Sequence, residues 1–215
     1  MDVRSVVSVV AMSWIVGAIA FAQAVPDVKL VPSPPGQAAV QLGGRWEKTA
    51  EGGQAYRDGK WVVVNYGRPL LRGRTNIFGS GADYGSMVNA GAPLWRAGAN
   101  DTTRLITQAP LTIGGRTIAP GTYNVFVDLK PSNWTLVLST QPVQEKFDPN
   151  DKVRLSGATN YDPKFDVLRA PMTVRSTDVS VEQFTIGFID VTATSATMTM
   201  AWEKTLATVP IALGK

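Results

Sequence analysis

The stretch between residues 66 and 101 collects the side chains best suited to hold a ligand. It has little strand pattern and contains seven glycines between positions 67 and 98. Guanidinium groups bind carboxylates and phosphates through paired hydrogen bonds, and loops on a rigid scaffold often carry binding sites. The partner is unknown, and under this interpretation it would be a small anionic or carbohydrate ligand. The candidate ligand-binding residues are Arg68, Arg74, Tyr84, Trp95, Arg96 and Asn100.

The same residues also have a purely structural interpretation. The arginines would donate to loop carbonyls and stack on Trp95 or Tyr84, thereby holding a long loop in place. Physical argument favours this second interpretation, because the backbone of a buried loop needs such donors. Whether the arginines converge on a cavity decides between the two.

Two absences restrict the chemistry. The 215-residue chain contains no cysteine and no histidine. This excludes disulfides, thiol nucleophiles, the Ser-His-Asp triad and the commonest zinc and copper ligand. A catalyst here would depend on carboxylates, Lys, Tyr or a Ser-Lys pair. The sequence contains no group of residues arranged as a catalytic site. We also expect no metal site and no cofactor, so the sequence favours a protein that is not an enzyme.

The acidic residues near position 150 resemble a calcium loop only superficially. Asp148, Asn150 and Asp151 lie close together, but Lys152 occupies the third ligand position of an EF-hand spacing and no glycine follows it. We expect a solvated turn.

A glycosidase carboxylate pair is a second candidate among the acidic residues. Glu182 and Asp190 lie eight residues apart, which is ~26 Å along an extended strand and far beyond the ~5–9.5 Å that such a pair needs. Glu203 falls on the polar side of its own strand. Solvated strand positions explain all three residues.

The charge of the chain argues against a nucleic-acid partner. The net charge is +4, and the basic residues are spread along the chain apart from one modest cluster between positions 68 and 74. Nucleic-acid-binding domains usually concentrate positive charge on one face. We therefore expect no nucleic acid.

Residues 1–22 have the features of a secretory signal peptide. Arg4 supplies a positive charge, residues 6–22 are mostly apolar, and two A-x-A-like sites end at Ala22 and Ala24. An uncleaved membrane anchor is the competing interpretation, but no basic stop-transfer cluster follows. We expect cleavage, no membrane span afterwards, and a periplasmic or secreted protein.

Two further segments follow the predicted signal peptide. Residues 25–36 contain four prolines, which exclude a regular helix or a central strand. We therefore expect a proline-rich extended leader over residues 23–36 and a single β-sandwich domain over residues 37–215.

Alternation with a period of two dominates the rest of the chain. Residues 194–203 place Met198, Met200 and Trp202 on one face and Thr197 and Thr199 on the other. Residues 182–190 alternate in the same way, so the two segments predict an antiparallel hairpin.

Turn signals separate these short strands. Residues 130–133, Gly114-Gly115 and Asp58-Gly59 each predict a turn, the last between strands at 54–57 and 61–66. No window predicts a helix. The pattern favours an all-β fold, an antiparallel β-sandwich, with a closed β-barrel as the runner-up.

Several stretches, in this order and spacing, resemble the domain of unknown function 2911 family over about residues 33–212. The resemblance implies an exported bacterial protein with a β-rich domain and supplies no activity, cofactor or catalytic residue. Members often carry a Trp-Gly-containing aromatic segment where this chain has residues 147–163, so a ligand site shaped by that segment would differ here. The matching stretches are YGRPLLRGRTNIFG (66–79), Tyr84-Gly85, WRAGANDTT (95–103), IGGRTIAPGTYNVF (113–126), YDPKFDVLR (161–169) and FTIGFIDVTATSATMTMAWEKT (184–205).

Three classes of function remain open. The first is a non-catalytic binding or interaction module of the bacterial periplasm or cell exterior. The second is a carboxylate-based hydrolase of an envelope polysaccharide, which needs two acidic residues facing each other across a cleft. The third is a structural envelope component, which an exposed sheet edge or a large apolar patch would favour.

Overall fold

The computed structural model describes Asp27, Lys29 and residues 31–215. The predicted signal peptide, with its two cleavage sites, lies outside the described residues, and its processing stays a prediction. Among the described residues, no helix is long and apolar enough to cross a membrane.

Short strands make up most of the regular structure. The helical segments are one turn of α-helix, α1 (Ser86–Asn89), and 3₁₀ turns at Gly81–Asp83 and Pro163–Phe165. The strands of the described chain are β1 (Pro35–Leu42), β2 (Arg45–Lys48), β3 (Gln54–Arg57), β4 (Lys60–Gly67), β5 (Arg104–Thr107), β6 (Leu111–Ile113), β7 (Arg116–Ile118), β8 (Gly121–Asp128), β9 (Thr135–Ser139), β10 (Asp166–Pro171), β11 (Thr173–Ile189) and β12 (Ser195–Leu213).

The strands form two main sheets and a small ribbon. The larger sheet has the order β1-β4-β5-β8-β9-β10, the smaller has the order β11-β12-β6-β7, and β2 pairs only with β3. The sheets are antiparallel and do not close into a barrel, which confirms the predicted all-β sandwich and not its runner-up.

The core lies between the inner faces of the two sheets. On the larger sheet the buried positions follow a period of two, as at Val62, Val64 and Tyr66 of β4. The Tyr66 hydroxyl accepts from the Ile186 amide of the other sheet at 2.9 Å, and its ring packs edge-on against Phe184 with centroids 5.6 Å apart. These contacts tie the two sheets together.

The predicted C-terminal hairpin is confirmed and is longer than expected. β11 pairs with β12, and Met198, Met200 and Trp202 are buried, with Trp202 only 4% exposed. The expected exposure of Thr199 is wrong, since it is 8% exposed. Its hydroxyl donates to the carbonyl of Gly187, the cross-strand partner, and this contact covers it.

Two of the three turn predictions are confirmed and the third is wrong. Gly114 and Gly115 join β6 to β7 with φ of 56° and 81°, the positive values that a tight two-residue hairpin turn requires. Residues 130–133 also turn as expected, with the Asn133 amide bonded to the Lys130 carbonyl at 3.0 Å. Asp58-Gly59 does not close a hairpin, because β3 pairs with β2 while β4 pairs with β1 and β5.

The proline-rich leader differs from the expectation at its end. β1 begins at Pro35, two residues inside the segment predicted as extended leader. Proline is tolerated there because the first residue of a strand can do without an N–H donor.

Candidate functional site

A groove of about 730 Å³ opens on the outer face of the larger sheet. Its floor is the outward side of β1, β4 and β5. One wall is the chain at residues 99–102, and the other is a long connection over residues 141–162, which we call the covering loop. The groove is thus built from segments far apart in sequence.

A row of polar side chains crosses the groove floor. The strand register pairs Gln37 with Asn65 and Asn65 with Arg104, so the three side chains point outward at the ~4.8 Å spacing of adjacent strands. Gln37 Nε2 donates to Asn65 Oδ1 at 2.9 Å. Among the described residues, the Asn65 Nδ2 atom and the Arg104 guanidinium have no acceptor and remain available to a ligand.

The polar row continues beneath the covering loop, where it is satisfied internally. Arg104 pairs with Asn124 across the strands, and Asn124 pairs with Ser139. Asn124 Nδ2 donates to the Gln141 carbonyl at 2.7 Å, and the Ser139 hydroxyl accepts from the Gln141 amide at 3.2 Å. Within the row, Asn124 and Ser139 beneath the covering loop are therefore hydrogen-bonded to the protein, whereas Asn65 and Arg104 beyond it remain available to a ligand.

A buried amide holds the covering loop together. The Gln141 side chain donates to the carbonyls of Val153 and Asn160 at 2.8 and 2.7 Å and accepts from the Asp162 amide at 2.9 Å. Gln141 is 2% exposed, and an unmade hydrogen bond at a buried amide costs about 1–3 kcal/mol. The residue fixes three distant points of the loop at once.

Asp151 caps a turn within the covering loop. One of its carboxylate oxygens accepts from the amides of Val153 and Arg154, each at 2.9 Å, and the other pairs with the Arg154 guanidinium at 2.5 Å. These backbone hydrogen bonds, with the Arg154 side chain adding to them, lower the pKa of Asp151 to about 2. Asp151 therefore serves as a structural cap of the solvated turn predicted from the sequence.

The end of the covering loop is anchored to β10. The Tyr161 hydroxyl donates to Asp166 Oδ2 at 2.6 Å, and Arg169 Nε donates to the same oxygen at 3.0 Å. Burial raises the pKa of the Tyr161 hydroxyl to about 12, with the hydrogen bond to Asp166 adding to the effect. A small apolar cluster beneath the loop adds packing, and its buried members are Leu94, Phe126, Val137, Leu155 and Ala158.

The opposite wall is a strained turn bonded to both of its neighbours. Asn100 adopts a positive φ of 62°, and its Nδ2 donates to the Ser33 carbonyl at 3.0 Å. Thr102 Oγ1 donates to the Gly157 carbonyl of the covering loop at 2.8 Å. This wall therefore links the segment before β1 to the covering loop.

Charged and aromatic groups line the open part of the groove. Asp101 and Glu145 contribute carboxylates and Arg104 contributes the guanidinium. None of the three forms an ion pair within the described chain. Phe147 lies at the rim and is 68% exposed.

Arg96 supports the groove wall from behind. Its Nη1 donates to the Asn100 carbonyl at 2.5 Å, and its guanidinium lies against Gly157, where any Cβ would overlap it. Burial lowers the pKa of Arg96, while the charge of Asp101 acts in the opposite direction. The close approach of Arg96 explains why a glycine occupies position 157.

Arg68 lies behind the start of β1. Its aliphatic stem packs against Gly36, a residue of the groove, and its Nη2 donates to Thr185 Oγ1 at 3.4 Å. Its Nε is buried and has no partner among the described residues.

Arg74 and Trp95 lie in structural positions. Arg74 donates to the carbonyls of Leu70 and Leu71 at 2.6 and 3.0 Å and lies over the Trp202 ring at 5.8 Å. Trp95 is 1% exposed and stacks nearly parallel to Trp202, at 6.3 Å and 14°.

The structure does not bring the six candidate residues to one cavity. Asn100 lines the groove, Arg74 lines a smaller concavity beside Ser33, and Tyr84 lines a third one, while Arg68, Trp95 and Arg96 line none of the three. Their direct role in ligand binding stays a prediction.

The acidic residues considered from the sequence do not share a cleft either. Glu182 accepts from the Arg72 amide at 2.8 Å, and Asp190 lies in the turn after β11 with a φ of 50°. Glu203 is half-buried and accepts two backbone hydrogen bonds, so it is more than a solvated strand position. Within the described part of the chain, no three Asp, Glu, His or Cys residues are grouped to hold a metal ion.

Sequence reasoning missed the groove floor. Gln37, Asn65, Arg104 and Phe147 lie in four separate segments, and only strand register brings the first three into a row. One signal was present in the sequence, because Asn65 interrupts the apolar run 61–66 on its outward face. A polar residue in a strand whose neighbours are apolar marks a face that is exposed or functional.

Comparison with known proteins gives a family and no activity. A family model described as "Protein of unknown function (DUF2911)" matches residues 47–211. No curated protein and no solved structure matches the chain.

Proposed function

The chain belongs to the DUF2911 family, and from this premise we propose that it is an exported, non-catalytic binding module whose groove takes a neutral, polyhydroxylated ligand of the carbohydrate class. The proposal rests on the groove over β1, β4 and β5 and on the predicted signal peptide.

The observation that carries the proposal is the open polar row beside an exposed aromatic ring. Asn65 and Arg104 present donors in the floor, and Phe147 presents a ring at the rim. A sugar has hydroxyls at its edge and an apolar C–H face, so planar polar groups and an aromatic ring complement its two sides. The linear arrangement of the row suits a chain of sugar units that crosses the strands.

The charges of the groove favour a neutral ligand over an anionic one. Asp101 and Glu145 outnumber Arg104 among the lining residues, and Arg96 behind the wall offsets the charge of Asp101, so the groove has no excess of positive charge. A phosphate or uronate would therefore meet repulsion as well as attraction. Neutral hydroxyls can accept from Arg104 and donate to the carboxylates without that penalty.

Export forms part of the same proposal. The positive residue Arg4, the apolar run over residues 6–22 and the small residues at Ala22 and Ala24 support it. A carbohydrate-binding module in the periplasm or outside the cell would meet envelope polysaccharides there.

The proposal is tested by titrating neutral oligosaccharides, namely chitohexaose, cellohexaose and maltohexaose, into the mature protein by calorimetry. Phe147→Ala and Asn65→Ala should each weaken binding of the responding sugar about fivefold to tenfold, equivalent to ~1–1.4 kcal/mol. Trp46→Ala is the matched control, because Trp46 is an equally exposed aromatic residue (67%) on β2 that does not line the groove.

Two results would contradict the proposal. One is the absence of heat and of thermal stabilisation with all three sugars. The other is an equal loss of affinity in Trp46→Ala and Phe147→Ala, which would show that binding does not occur in the groove.

A carboxylate-based hydrolase is the second candidate, because Asp101 and Glu145 line the same groove from different segments. Incubation of the wild type with the bound oligosaccharide, followed by measurement of reducing ends, separates the two functions. Turnover that disappears in both Asp101→Asn and Glu145→Gln would favour the hydrolase. Binding without turnover favours the module.

A further inference from the structure

The third concavity, of about 460 Å³, lies between β11, β12 and the turn that joins β8 to β9. It belongs mainly to the smaller sheet and shares no lining residue with the groove. Its polar lining is rich in hydrogen-bond donors. The residues that matter here are Tyr84, Ser132, Arg175, Ser176, Lys204 and Thr205.

A β-bulge in β11, over residues 177–180, borders this concavity. The register passes from Ser176 opposite Thr205 to Val181 opposite Glu203, and Glu203 has a positive φ of 51°. In a regular strand consecutive side chains point to opposite faces, whereas here Glu203, Lys204 and Thr205 all line one space. Bulges characteristically redirect a side chain in this way. The irregularity therefore lies directly beside the lining residues Lys204 and Arg175.

The two cations in the concavity outnumber its one carboxylate. Within the described chain, neither Arg175 nor Lys204 forms an ion pair or a side-chain hydrogen bond. Glu203 is the one acidic residue of the lining, and both of its oxygens already accept backbone N–H groups. Asp178, in the segment extruded by the bulge, does not line the space. The lining therefore carries a net positive charge, which favours an anionic ligand.

Tyr84 adds a neutral donor to the same space. Its hydroxyl oxygen accepts from Trp134 Nε1 at 2.8 Å. A phenol carries one proton and can donate while it accepts, and no acceptor for that proton occurs among the described residues. The hydroxyls of Ser132, Ser176 and Thr205 can donate as well.

We propose that this concavity binds a phosphate oxyanion, held between Arg175 and Lys204 and completed by the Tyr84 hydroxyl. A guanidinium, an ammonium and several hydroxyls supply more donors than a carboxylate can accept and suit the oxygens of a phosphate. The phosphate is either free in solution or part of a lipid headgroup, since both present the same oxyanion. The site is independent of the carbohydrate groove.

The test follows backbone amide shifts of ¹⁵N-labelled protein during titration with inorganic phosphate. Sodium chloride keeps the ionic strength constant, so screening does not change. Saturable shifts are expected at residues 174–176 and 203–205. Arg175→Gln and Lys204→Gln should each weaken binding by about tenfold or more, as expected for the loss of one charge-assisted hydrogen bond.

Matched controls and a second ligand form complete the experiment. Arg116→Gln and Lys60→Gln remove exposed cations that line neither concavity, and both should bind phosphate as the wild type does. Vesicles of phosphatidylglycerol are compared with vesicles of phosphatidylcholine. Retention on phosphatidylglycerol alone, lost in Arg175→Gln, would assign the phosphate to a lipid headgroup. The proposal is overturned if neither phosphate nor phosphatidylglycerol binds, or if the control variants lose binding equally.

Discussion

The carboxylate of Glu203 accepts a hydrogen bond of 2.6 Å from the backbone amide of Asn76, which lies 127 residues earlier in the chain. Its second oxygen accepts from the Ile77 amide at 2.9 Å. A single side chain on β12 thereby holds the loop that follows β4, and Glu203 has its positive φ at the point where the pairing of β11 with β12 is irregular.

Glu203→Gln should destabilise the protein by ~1–3 kcal/mol, because the amide keeps one acceptor and loses both the second acceptor and the charge. Urea unfolding measures the loss, and hydrogen exchange should accelerate at Asn76 and Ile77. Glu51→Gln is the control, since Glu51 is exposed in the turn between β2 and β3. Equal stability of the wild type and Glu203→Gln would show that the two hydrogen bonds contribute nothing.

Arg96→Lys should lower the melting temperature and weaken binding in the groove together. Lysine keeps the charge but lacks the planar fork that lies on Gly157 and reaches the Asn100 carbonyl. We expect a loss of ~1–2 kcal/mol, or about 2–8 °C for a chain of this size. Calorimetry measures the shift. An unchanged melting temperature would remove the supporting role of Arg96, and Arg116→Lys serves as the exposed control.

Trp202→Ala should cost ~3–5 kcal/mol, as expected for a large aromatic residue removed from a core. Trp202 contacts Phe78, Trp95 and Phe184 in one aromatic cluster. Thr197→Ala, on the other face of β12, should cost well under ~1 kcal/mol. Comparable losses in urea melts would contradict the burial of the two faces.

Asp151 predicts a stability contribution that depends on pH. Its folded pKa of about 2 lies below the usual unfolded value of about 3.9, so the contribution is complete above about pH 4 and is lost as the pH falls toward 2. The difference in unfolding free energy between the wild type and Asp151→Asn should therefore be largest at neutral pH and shrink toward pH 2. A difference independent of pH would contradict the proposed cap.

The mature protein should begin at Gln23 or Val25, directly after the two A-x-A-like sites. N-terminal sequencing of protein recovered from the periplasm or the medium measures this. An intact Met1, with all protein in the membrane fraction, would contradict export by cleavage.

Local patterns predicted the fold class well but not the pairing of all strands. Alternation along 194–203 depends on neighbouring residues, and β12 buries Met198 and Met200 as that pattern requires. Asp58-Gly59 has the composition of a hairpin turn, yet β4 pairs with β1 and places Val62 and Val64 in the core. The burial available across two sheets outweighs the preference of a single dipeptide.

The groove floor could not be predicted from the sequence, for a related reason. Gln37, Asn65 and Arg104 form a row only because the register of two strand pairs aligns them. A shift of one residue in the register of either strand pair would move the outward-facing side chains of a whole strand to the other face of the sheet. The candidate arginines Arg74 and Arg96 lie far apart in sequence and the fold does not bring them together, because Arg74 bonds to its own loop and Arg96 bonds behind the wall.

The pairing of β6 with β12 has a consequence for the order of folding. Residues 111–113 bond to residues 211–213, at the end of β12. The β6–β7 hairpin can form early, but it has no sheet to join until almost the entire remaining chain has been arranged. Such distant pairing makes folding slow, since the entropy of closing a long loop must be overcome before the contact stabilises anything. Removal of the last few residues would leave β6 and β7 without their place in the sheet, although neither strand had been altered.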